Sequence, residues 1–453
     1  MSERLLSYYG DDLTGSTDVM EALTLGGLPT VLFLQPPTDA QLDKFADCRA
    51  FGIAGISRSM SPVQMDAELV PAFTRLAEIG ARFVHYKVCS TFDSSPTTGS
   101  IGHAIDIGQV ILRSAYVPLV VAAPVLKRYV VFGNLFAGVG GETYRLDRHP
   151  TMSRHPITPM LESDLRRHLA LQTDKPVGLV DLLTLAQGDA AVDAAITRVR
   201  DEGAEVILFD TVDAGHLRAI GRVLWEQAAP RGQFVVGSSG VEYALTAYLH
   251  HVGLVAPIAP PPAPPEVAQL VVMAGSAAPM TAAQIGYAVE QGYTAIRLNA
   301  PALIDPARAA EASSAAQTAA LVALGRGASV VLYAACGPDD PALAATRTRA
   351  RELGLAEQEV GQRLARAQGQ LLARVLAATR LRRACVAGGD TSGYVARGLG
   401  IYALEMTTPV SPGAPLCRAY SSVAAFDGME ISLKGGQNGQ ADYFEQIRRG
   451  GKP

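Results

Sequence analysis

The chain has 453 residues, a formal net charge of −4 at pH 7 and a pI near 6.1. Its length exceeds what one hydrophobic core usually supports, so two or three domains are expected, and with 48% apolar residues a large core can be buried. The charge balance and the lack of Lys- or Arg-rich blocks exclude nucleic acid as an expected partner. No apolar run is long enough to span a membrane, so a membrane is not expected as a partner either.

The cysteines are scattered along the chain and none falls in a CxxC spacing, which favours reduced thiols over a zinc site or a disulfide framework. They are Cys48, Cys89, Cys336, Cys385 and Cys417. The residues before the first predicted strand are polar and contain no signal-peptide hydrophobic region. A cytoplasmic location is therefore predicted.

The N-terminal stretch combines an apolar run with two adjacent carboxylates. Residues 5–9 predict the first strand, and the polar residues 14–17 favour the start of a helix. Asp11 and Asp12 lie in the loop between them, at the carboxyl end of a strand, where ligands bind in open α/β sheets. The alternative is that these carboxylates only cap the helix and favour its positive end.

The N-terminal half alternates strands and helices. A second strand over Pro29–Leu34 completes a strand–helix–strand unit of about thirty residues. Continuous aliphatic runs then predict parallel strands covered on both faces. They are Phe51–Ile56, Ala81–Val88, Leu119–Ala123, Val177–Val180, Val206–Phe209 and Phe234–Val236. Residues 1–255 are therefore predicted to form a doubly wound α/β domain.

A proline-rich segment, residues 256–266, marks the sharpest change in composition. Six prolines stand among residues 256–265. Because proline cannot donate into a sheet or continue a helix, an extended, semi-rigid connector is predicted, and the domain boundary is placed here. A proline-rich surface loop within one domain is the alternative.

The alternation restarts in residues 267–453, which predicts a second α/β domain. The predicted strands are Gln269–Ala274, Thr294–Leu298, Ser329–Ala335, Ala384–Ala387, Tyr402–Met406 and Met429–Leu433. The predicted helices are Met280–Gln291, Pro306–Leu324 and about Glu357 to Arg383, the last with an apolar stripe through Val360, Leu364, Ala367, Leu371 and Val375.

Three glycine-rich loops in the second domain each follow a predicted strand. They are residues 274–278, 388–393 and 434–439. Glycine lets backbone amides approach a phosphate, hydroxyl groups add donors, and a helix N-terminus favours negative charge. Any one loop is also consistent with a plain turn, and none matches a P-loop or a dinucleotide fingerprint. Together they predict a nucleotide-phosphate site.

Polar loops in the first domain supply hydroxyls, cations and a carboxylate. The candidate residues are Ser57, Arg58, Lys87, Ser90, Thr91 and Asp93. This set suits a small polyhydroxylated acid, with Arg58 or Lys87 meeting its carboxylate. The alternative for each of the two cations is a surface charge pair.

Residues 149–160 form a loop fixed by prolines, with His149 and His155 six positions apart. A metal site would need a third ligand and no cysteine is close, so no metal site is predicted. Loop-packing histidines and a histidine that reaches the substrate both stay open. The turn at residues 237–240 lacks the full GxSxG elbow, which argues against hydrolase chemistry.

Six motifs, in this order, resemble the four-carbon acid sugar kinase family over almost the whole chain. They are Gly10–Gly15, Ser57–Arg58, Lys87 with Cys89–Ser94, His155–Met160, Gly388–Gly393 and Leu433–Gly436. The resemblance implies a sugar-acid-binding domain, a nucleotide-binding domain and an active site in the cleft between them. It also implies phosphorylation of acids such as threonate, erythronate or 3-oxo-tetronate by ATP, a reaction for which Mg²⁺ is expected.

The resemblance also distributes roles over residues. Phosphoryl transfer needs a carboxylate to orient or deprotonate the acceptor hydroxyl, and the candidate is Asp12, with Asp11 and Asp93 in support. The acid-binding residues are Ser57, Arg58, Lys87, Ser90, Thr91, Asp93 and His155. The nucleotide-binding residues are Ser276, Gly388, Gly389, Asp390, Thr391, Ser392, Gly435 and Gly436. No direct metal ligand is assigned, because Asp390 could either approach the ion through water or serve its own loop.

Two stretches depart from the family pattern. Gly10 stands where alanine is common, and Ser16 follows Gly15 where alanine is common. Residues 94–102 replace a shorter turn that contains Gly and Asn in many members. Since this second change falls in the predicted acid pocket, a branched or oxidised acid such as 3-oxo-isoapionate is an alternative substrate.

Two other classes of function stay open at this point. A dehydrogenase is weakened by the missing dinucleotide fingerprint, and a non-catalytic sugar-acid sensor is weakened by the intact loop at residues 388–393. The sequence does not determine the oligomeric state, so a homo-oligomer is open.

Overall fold

A computed structural model of the chain describes residues 3–229 and 232–451. The chain divides into two compact units, Met1–Ala259 and Pro260–Pro453. This division lies inside the proline-rich segment, whose role as a connector stays a prediction. None of the helices in the two described ranges is long and apolar enough to cross a membrane.

The first unit is built on parallel strands. Its strands are β1 (Leu6–Gly10), β2 (Thr30–Phe33), β3 (Ala50–Ala54), β4 (Phe83–Lys87), β5 (Val117–Val120), β6 (Arg128–Val131), β7 (Asn134–Val139), β8 (Glu142–Arg145), β9 (Val177–Val180), β10 (Val206–Phe209) and β11 (Gln233–Gly237). Eight of them lie side by side in the order β2-β3-β1-β4-β11-β5-β10-β9, every pair parallel. Gly10 lies opposite Ala54 and Lys87, so the loops after β1, β3 and β4 leave from one carboxyl edge.

Helices connect these strands, as expected for parallel pairs, which need crossover connections. They are α1 (Leu13–Leu25), α2 (Asp39–Leu42), α3 (Pro62–Ile79), α4 (Ile101–Leu112), α5 (Leu165–Leu169), α6 (Leu182–Leu185), α7 (Asp189–Asp201), α8 (Ala214–Glu226) and α9 (Gly240–His251). Helix α3 shows why such a helix begins and ends where it does. Ser61 and Gln64 form a capping box, Pro62 is at the start of the helix, and Gly80, in a left-handed conformation, ends it.

Strands β6, β7 and β8 form a separate antiparallel sheet that the sequence analysis did not predict. Both of its turns place two residues at positive φ, namely Phe132 with Gly133 and Gly140 with Gly141. Two-residue turns of this conformation match the right-handed twist of the strands that they join. The strands are short and half-exposed, so they lack the aliphatic runs by which the parallel strands are recognised.

The second unit is a mixed sheet. Its strands are β12 (Val271–Ala274), β13 (Thr294–Arg297), β14 (Val330–Tyr333), β15 (Arg383–Ala387), β16 (Ile401–Ser411), β17 (Ala414–Ser421) and β18 (Glu430–Lys434). They lie in the order β13-β14-β12-β15-β18-β17-β16, parallel from β13 to β18 and antiparallel around β17. Ala387 lies opposite both Ala274 and Lys434, so the three glycine-rich loops leave from neighbouring strand ends.

The helices of the second unit are α10 (Pro279–Glu290), α11 (Ala300–Leu303), α12 (Ala309–Gly325), α13 (Pro341–Glu352), α14 (Glu357–Thr379), α15 (Gly389–Gly398) and α16 (Tyr443–Arg448). The C-terminal end of α14 was predicted too late in the chain, because Arg380 takes a left-handed conformation and Arg383 begins β15. Its predicted apolar stripe is also displaced in the N-terminal half, where Ala365 and Gln368 are buried and Leu364 is only partly so.

Candidate active site

Asp11 and Asp12 are held together by one arginine. Asp12 caps α1, because its Oδ1 accepts the N–H of Gly15 at 2.7 Å. Arg58 donates from Nε and Nη2 to the two oxygens of Asp11 at 3.0 and 2.7 Å. The same guanidinium donates from Nη1 and Nη2 to Asp12 at 2.7 and 3.0 Å. Asp12 therefore both caps the helix and shares a cation with Asp11.

Burial separates the two carboxylates. The side chain of Asp11 is 6% exposed, whereas that of Asp12 is 30% exposed. Burial raises the pKa of Asp11; the charge of Arg58 opposes this rise and the charge of Asp12 adds to it. Burial disfavours charged Arg58, but the two carboxylates outweigh it and raise the pKa of Arg58 well above its usual range. Asp12 is thus the carboxylate that a ligand can reach.

Lys87 reaches the same place from the end of β4. Its side chain is 3% exposed, and its Nζ lies 3.8 Å from Asp18 Oδ2. A Cβ atom on Gly15 would come within 2.7 Å of Asp12 Oδ1 and 2.9 Å of Lys87 Nζ. Glycine is therefore the residue that lets the first turn of α1 approach this ammonium group.

The loop after β4 adds a further carboxylate, Asp93. Thr91 Oγ1 donates to Asp93 Oδ1 at 2.5 Å, and Cys89 Sγ lies 2.9 Å from Thr91 Oγ1. Burial acts to raise the pKa of Asp93, but the charge of Arg58 and the Thr91 hydrogen bond outweigh it, and His155 adds to the lowering. Asp93 therefore stays ionised within electrostatic reach of both Arg58 and His155.

The remaining predicted acid-binding residues differ in their surroundings. Ser57 is buried and its hydroxyl lies 3.0 Å from that of Tyr86, so the structure does not bring it to the Arg58 cluster as a free donor. Ser90 is half-buried in the loop after β4. The backbone N–H of Thr158 donates to His155 Nδ1 at 3.1 Å, which places the proton of the neutral ring on Nε2.

Two side chains that the sequence analysis missed support these loops. His168 Nε2 lies 2.9 Å from Ser94 Oγ, and Gln172 Nε2 donates to the same hydroxyl at 2.9 Å. Gln172 Oε1 also accepts the N–H of Ile101 at 2.8 Å, which satisfies a donor in the first turn of α4. Both residues stand more than seventy positions from Ser94, so no local pattern could have identified them.

In the second unit, the three glycine-rich loops are tied together at their start. The N–H groups of Gly275 and Ser276 donate to Ala387 O at 2.8 and 3.1 Å. The N–H of Gly388 donates to Lys434 O at 2.9 Å. Each loop is therefore anchored to the end of the neighbouring strand.

Close contacts then join the loops into one surface. A Cβ atom on Gly275 would lie 1.9 Å from Thr391 Oγ1, and one on Gly436 would lie 2.1 Å from Ser276 Oγ. Thr281 Oγ1 donates to Gly436 O at 2.8 Å. The predicted nucleotide-binding residues Ser276, Thr391 and Gly436 are thereby brought together.

The start of α15 is the open part of this surface. Gly388, at φ +136°, precedes the helix, and Gly389 and Asp390 in its first turn are exposed. A Cβ atom on Gly389 would meet nothing within 4 Å. Thr391 and Ser392 are buried beneath them. An exposed helix N-terminus with free space above it favours an anion.

Two buried polar side chains support the loops from below. Gln368 Oε1 on α14 accepts from Thr391 Oγ1 at 3.2 Å. Lys434 is fully buried, its Nζ donates to Gly435 O at 2.9 Å, and burial lowers its pKa to about 8. The sequence signal that could have identified Gln368 is its position as a polar residue beside the apolar stripe of α14.

Comparison with known proteins separates the same two regions. A family model described as a sugar-binding N-terminal domain matches residues 6–245, and one described as a nucleotide-binding C-terminal domain matches residues 271–444. The 3-oxo-isoapionate kinase of Paraburkholderia graminis is 48% identical over 449 residues, which cover 98% of this chain and 94% of that protein. The chain belongs to the four-carbon acid sugar kinase family. The 3-oxo-tetronate kinase of Cupriavidus necator is 31% identical, with 98% and 96% of the chains covered.

Solved structures support the same assignment of fold. A protein of Salmonella typhimurium LT2, provisionally named a tRNA synthase, matches with a TM-score of 0.80 and 28% identity, covering 98% of both chains. Protein HI1011 of Haemophilus influenzae matches with a TM-score of 0.73 and 25% identity over 98% of this chain and 99% of that one. The predicted α/β fold with mainly parallel sheets is confirmed.

Membership of the four-carbon acid sugar kinase family confirms the predicted enzyme class, a sugar-acid kinase. The cluster around Arg58 falls within the sugar-binding match, and the three glycine-rich loops fall within the nucleotide-binding match. The roles of the individual residues stay predictions.

Proposed function

We propose that this protein transfers the γ-phosphoryl group of ATP to the terminal hydroxyl of 3-oxo-isoapionate or a closely related branched 3-oxo acid. The observation that supports this substrate is the identity of 48% to a 3-oxo-isoapionate kinase, against 31% to a 3-oxo-tetronate kinase, each over 98% of this chain. The reaction class rests on the carboxylates near Arg58 and on the three linked glycine-rich loops.

The acceptor hydroxyl would meet Asp12. In the transfer, the hydroxyl oxygen bonds to the γ-phosphorus, the bond from that phosphorus to the β,γ-bridging oxygen breaks, and ADP leaves. The hydroxyl proton needs an acceptor within hydrogen-bond reach. Asp12 is suited to this role because it is the accessible carboxylate, whereas Asp11 is buried against Arg58. Asp11 then orients Arg58, which keeps Asp12 in place.

The phosphates of ATP would lie on the surface made by Ser276, Gly388, Gly389, Thr391 and Gly436. Exposed backbone N–H groups at the start of α15 favour negative charge there, as helix N-termini do. Ser392 is buried and supports this turn from within. Gly435 supplies the carbonyl that Lys434 holds.

Mg²⁺ would neutralise charge on the phosphates of the bound nucleotide. The described residues contain no group of three or more His, Cys, Asp and Glu side chains that could hold a metal ion. This fits an ion held mainly by phosphates and water with one or two carboxylates, as Mg²⁺ usually is in kinases. Asp390, exposed in the first turn of α15, is the carboxylate in these loops that would share it.

The segment that departs from the family pattern lies against the acid site. Ser95 N–H donates to Thr98 O at 3.0 Å, which closes a tight turn. A Cβ atom on Gly99 would lie 2.3 Å from Arg58 O. A change in the length of this segment therefore changes the backbone that packs against Arg58, which supports a substrate that differs from the linear four-carbon acids.

We also propose a cytoplasmic location, where ATP and reduced thiols are available.

A panel assay tests the proposed function. The purified protein would be given ATP, Mg²⁺ and, in turn, 3-oxo-isoapionate, 3-oxo-tetronate, threonate and erythronate, and ADP release would be measured. We expect kcat/KM to be highest for 3-oxo-isoapionate, by about tenfold or more over 3-oxo-tetronate. A higher kcat/KM for a linear acid would overturn the proposed substrate. Thermal stabilisation by an acid without any ADP release would instead indicate a sensor.

A further inference from the structure

Arg58 has little capacity left for the carboxylate of a substrate. A guanidinium has five N–H donors, and Arg58 already makes four contacts with Asp11 and Asp12. Lys87 adds a second cation beside Asp12, but it also faces Asp18, so two cations stand against three carboxylates and the cluster keeps a net negative charge. A sugar-acid carboxylate placed beside it would be repelled unless another cation faced it.

Arg128 is another arginine of the first unit, and neither the motifs nor the comparisons assign it a role. It is the first residue of β6, and its backbone exchanges hydrogen bonds with Ala123 at 3.1 and 3.2 Å. Ala123 follows β5, so this contact fixes the start of the small antiparallel sheet at the carboxyl edge of the parallel one.

One end of the Arg128 guanidinium is held and the rest is not. Its Nη1 donates to the carbonyl oxygens of Leu126, Lys127 and Gly138 at 3.0, 3.2 and 3.3 Å. Its Nε is buried without an acceptor. Among the described residues no carboxylate pairs with Arg128, and burial lowers its pKa with no carboxylate acting against this. Carbonyl groups orient a guanidinium but do not neutralise its charge. The backbone carbonyls therefore fix the orientation of the Arg128 guanidinium without compensating its charge.

Arg128 lies on the same edge of the sheet as the acid-site loops. Gly237 at the end of β11 lies opposite both Lys87 and Val120, so the loop that follows β5 leaves the sheet separated by one strand from the loop that follows β4.

The charges of Arg58 and Arg128 both act on Cys89 in the loop after β4. The charge of Arg128 also acts on His149, whose Nδ1 accepts the N–H of Thr151 at 3.2 Å. Cys89 therefore stands near both guanidinium groups, one neutralised by carboxylates and one not.

We propose that Arg128 binds the carboxylate of the sugar acid, and that Arg58 acts instead as a positioning residue for Asp11 and Asp12. The carboxylate end of the substrate then faces the small antiparallel sheet, and its hydroxyl end faces Asp12. This inference rests on the proposed function, because it assumes that an acid is the acceptor. It makes Arg128 a determinant of the preference for acids over uncharged sugars.

The test is the variant Arg128→Gln, which removes the cation and keeps a polar side chain. We expect the KM for the acid to rise about 10- to 100-fold, since a charged hydrogen-bonded contact is lost, while the KM for ATP stays unchanged and kcat changes little. The matched control is Arg145→Gln on β8, which removes a cation that is already paired with Asp147. This control should keep the wild-type KM values.

A second readout separates binding from structure. The wild-type enzyme should prefer the acid to the matching sugar in which a hydroxymethyl group replaces the carboxylate, and Arg128→Gln should lose most of that preference. If the glutamine variant does not fold, Arg128→Lys keeps the charge but not the planar donor group, and its acid KM should rise several-fold. An unchanged acid KM and an unchanged preference in the folded variant would overturn the inference. Failure of the wild-type enzyme to phosphorylate any acid would instead overturn the proposed function.

Discussion

His168 shows how a single buried residue makes the sugar-binding unit sensitive to pH. Its ring is 6% exposed, packs edge-on against Phe92 and lies 2.9 Å from Ser94 Oγ. Burial lowers its pKa to about 4, although the charges of Glu162 and Asp93 act the other way. The folded protein therefore keeps His168 neutral at pH values at which an unfolded chain would protonate it.

The sign of the effect follows from proton binding. Between pH 6.5 and about 4 the unfolded state binds more protons at this position, so the free energy of unfolding falls as the pH falls through that range. The loss amounts to as much as about 3 kcal/mol below pH 4. We expect the stability advantage of wild type over His168→Gln to shrink by about 2 kcal/mol between pH 7 and pH 4.5, measured by urea unfolding. The exposed His251→Gln serves as a control, and parallel curves for wild type and His168→Gln would contradict the prediction.

The division of labour between Asp11 and Asp12 marks the limit of what one stretch of sequence can predict. Two adjacent carboxylates at a strand end indicate a ligand site, and capping was rightly kept as an alternative for Asp12. Which of the two is accessible depends on Arg58, 46 and 47 positions away. That choice is made by tertiary packing, so the sequence could predict the pair but not the assignment.

At the scale of elements, the three glycine-rich loops work as one unit. Each follows one of three adjacent strands, and Gly436 lies against Ser276 and Ala278 of a loop that is far away in sequence. The backbone of Gly436 is not in a left-handed conformation, so its requirement for glycine comes from close packing. A methyl group there would separate the first loop from the third.

The variant Gly436→Ala tests this packing. Its Cβ would lie 2.1 Å from Ser276 Oγ and 3.0 Å from Ala278 Cβ, so the loops must shift. We expect the KM for ATP to rise about tenfold or more, because small misplacements of binding groups are costly. Thermal stabilisation by the acid should be unchanged. Gly361→Ala on α14, where a Cβ atom meets nothing within 4 Å, is the control. An unchanged KM for ATP in Gly436→Ala would show that the loops tolerate the shift.

Elements whose aliphatic runs are buried throughout were the most predictable. Val206–Phe209 is fully buried and matches its predicted strand, whereas β6, β7 and β8 were missed. The difference is physical: strands covered on both faces need apolar residues throughout, while short half-exposed hairpin strands do not. The end of α14 was missed because the stop is the left-handed conformation of Arg380, a residue type that ordinarily favours helix.

At the scale of the whole molecule, the proposal divides one reaction between two units of different chemistry. The first unit presents carboxylates and cations suited to a sugar acid, and the second presents backbone donors suited to phosphates. Two adjacent carboxylates would repel a nucleotide phosphate, which argues against ATP at the N-terminal loop. A variant in either unit should therefore affect one substrate and leave the binding of the other intact.

Phosphate transfer by Asp12→Asn, measured alongside its equilibrium affinity for ATP, tests this division most directly. Asparagine can still accept the N–H of Gly15 and cap α1, so the fold should be kept while the proton acceptor is lost. We expect kcat for the sugar acid to fall by about 10²- to 10⁴-fold, with the affinity for ATP unchanged. Near-normal turnover would remove Asp12 from the catalytic role, and loss of ATP binding would contradict the assignment of the acid to the first unit.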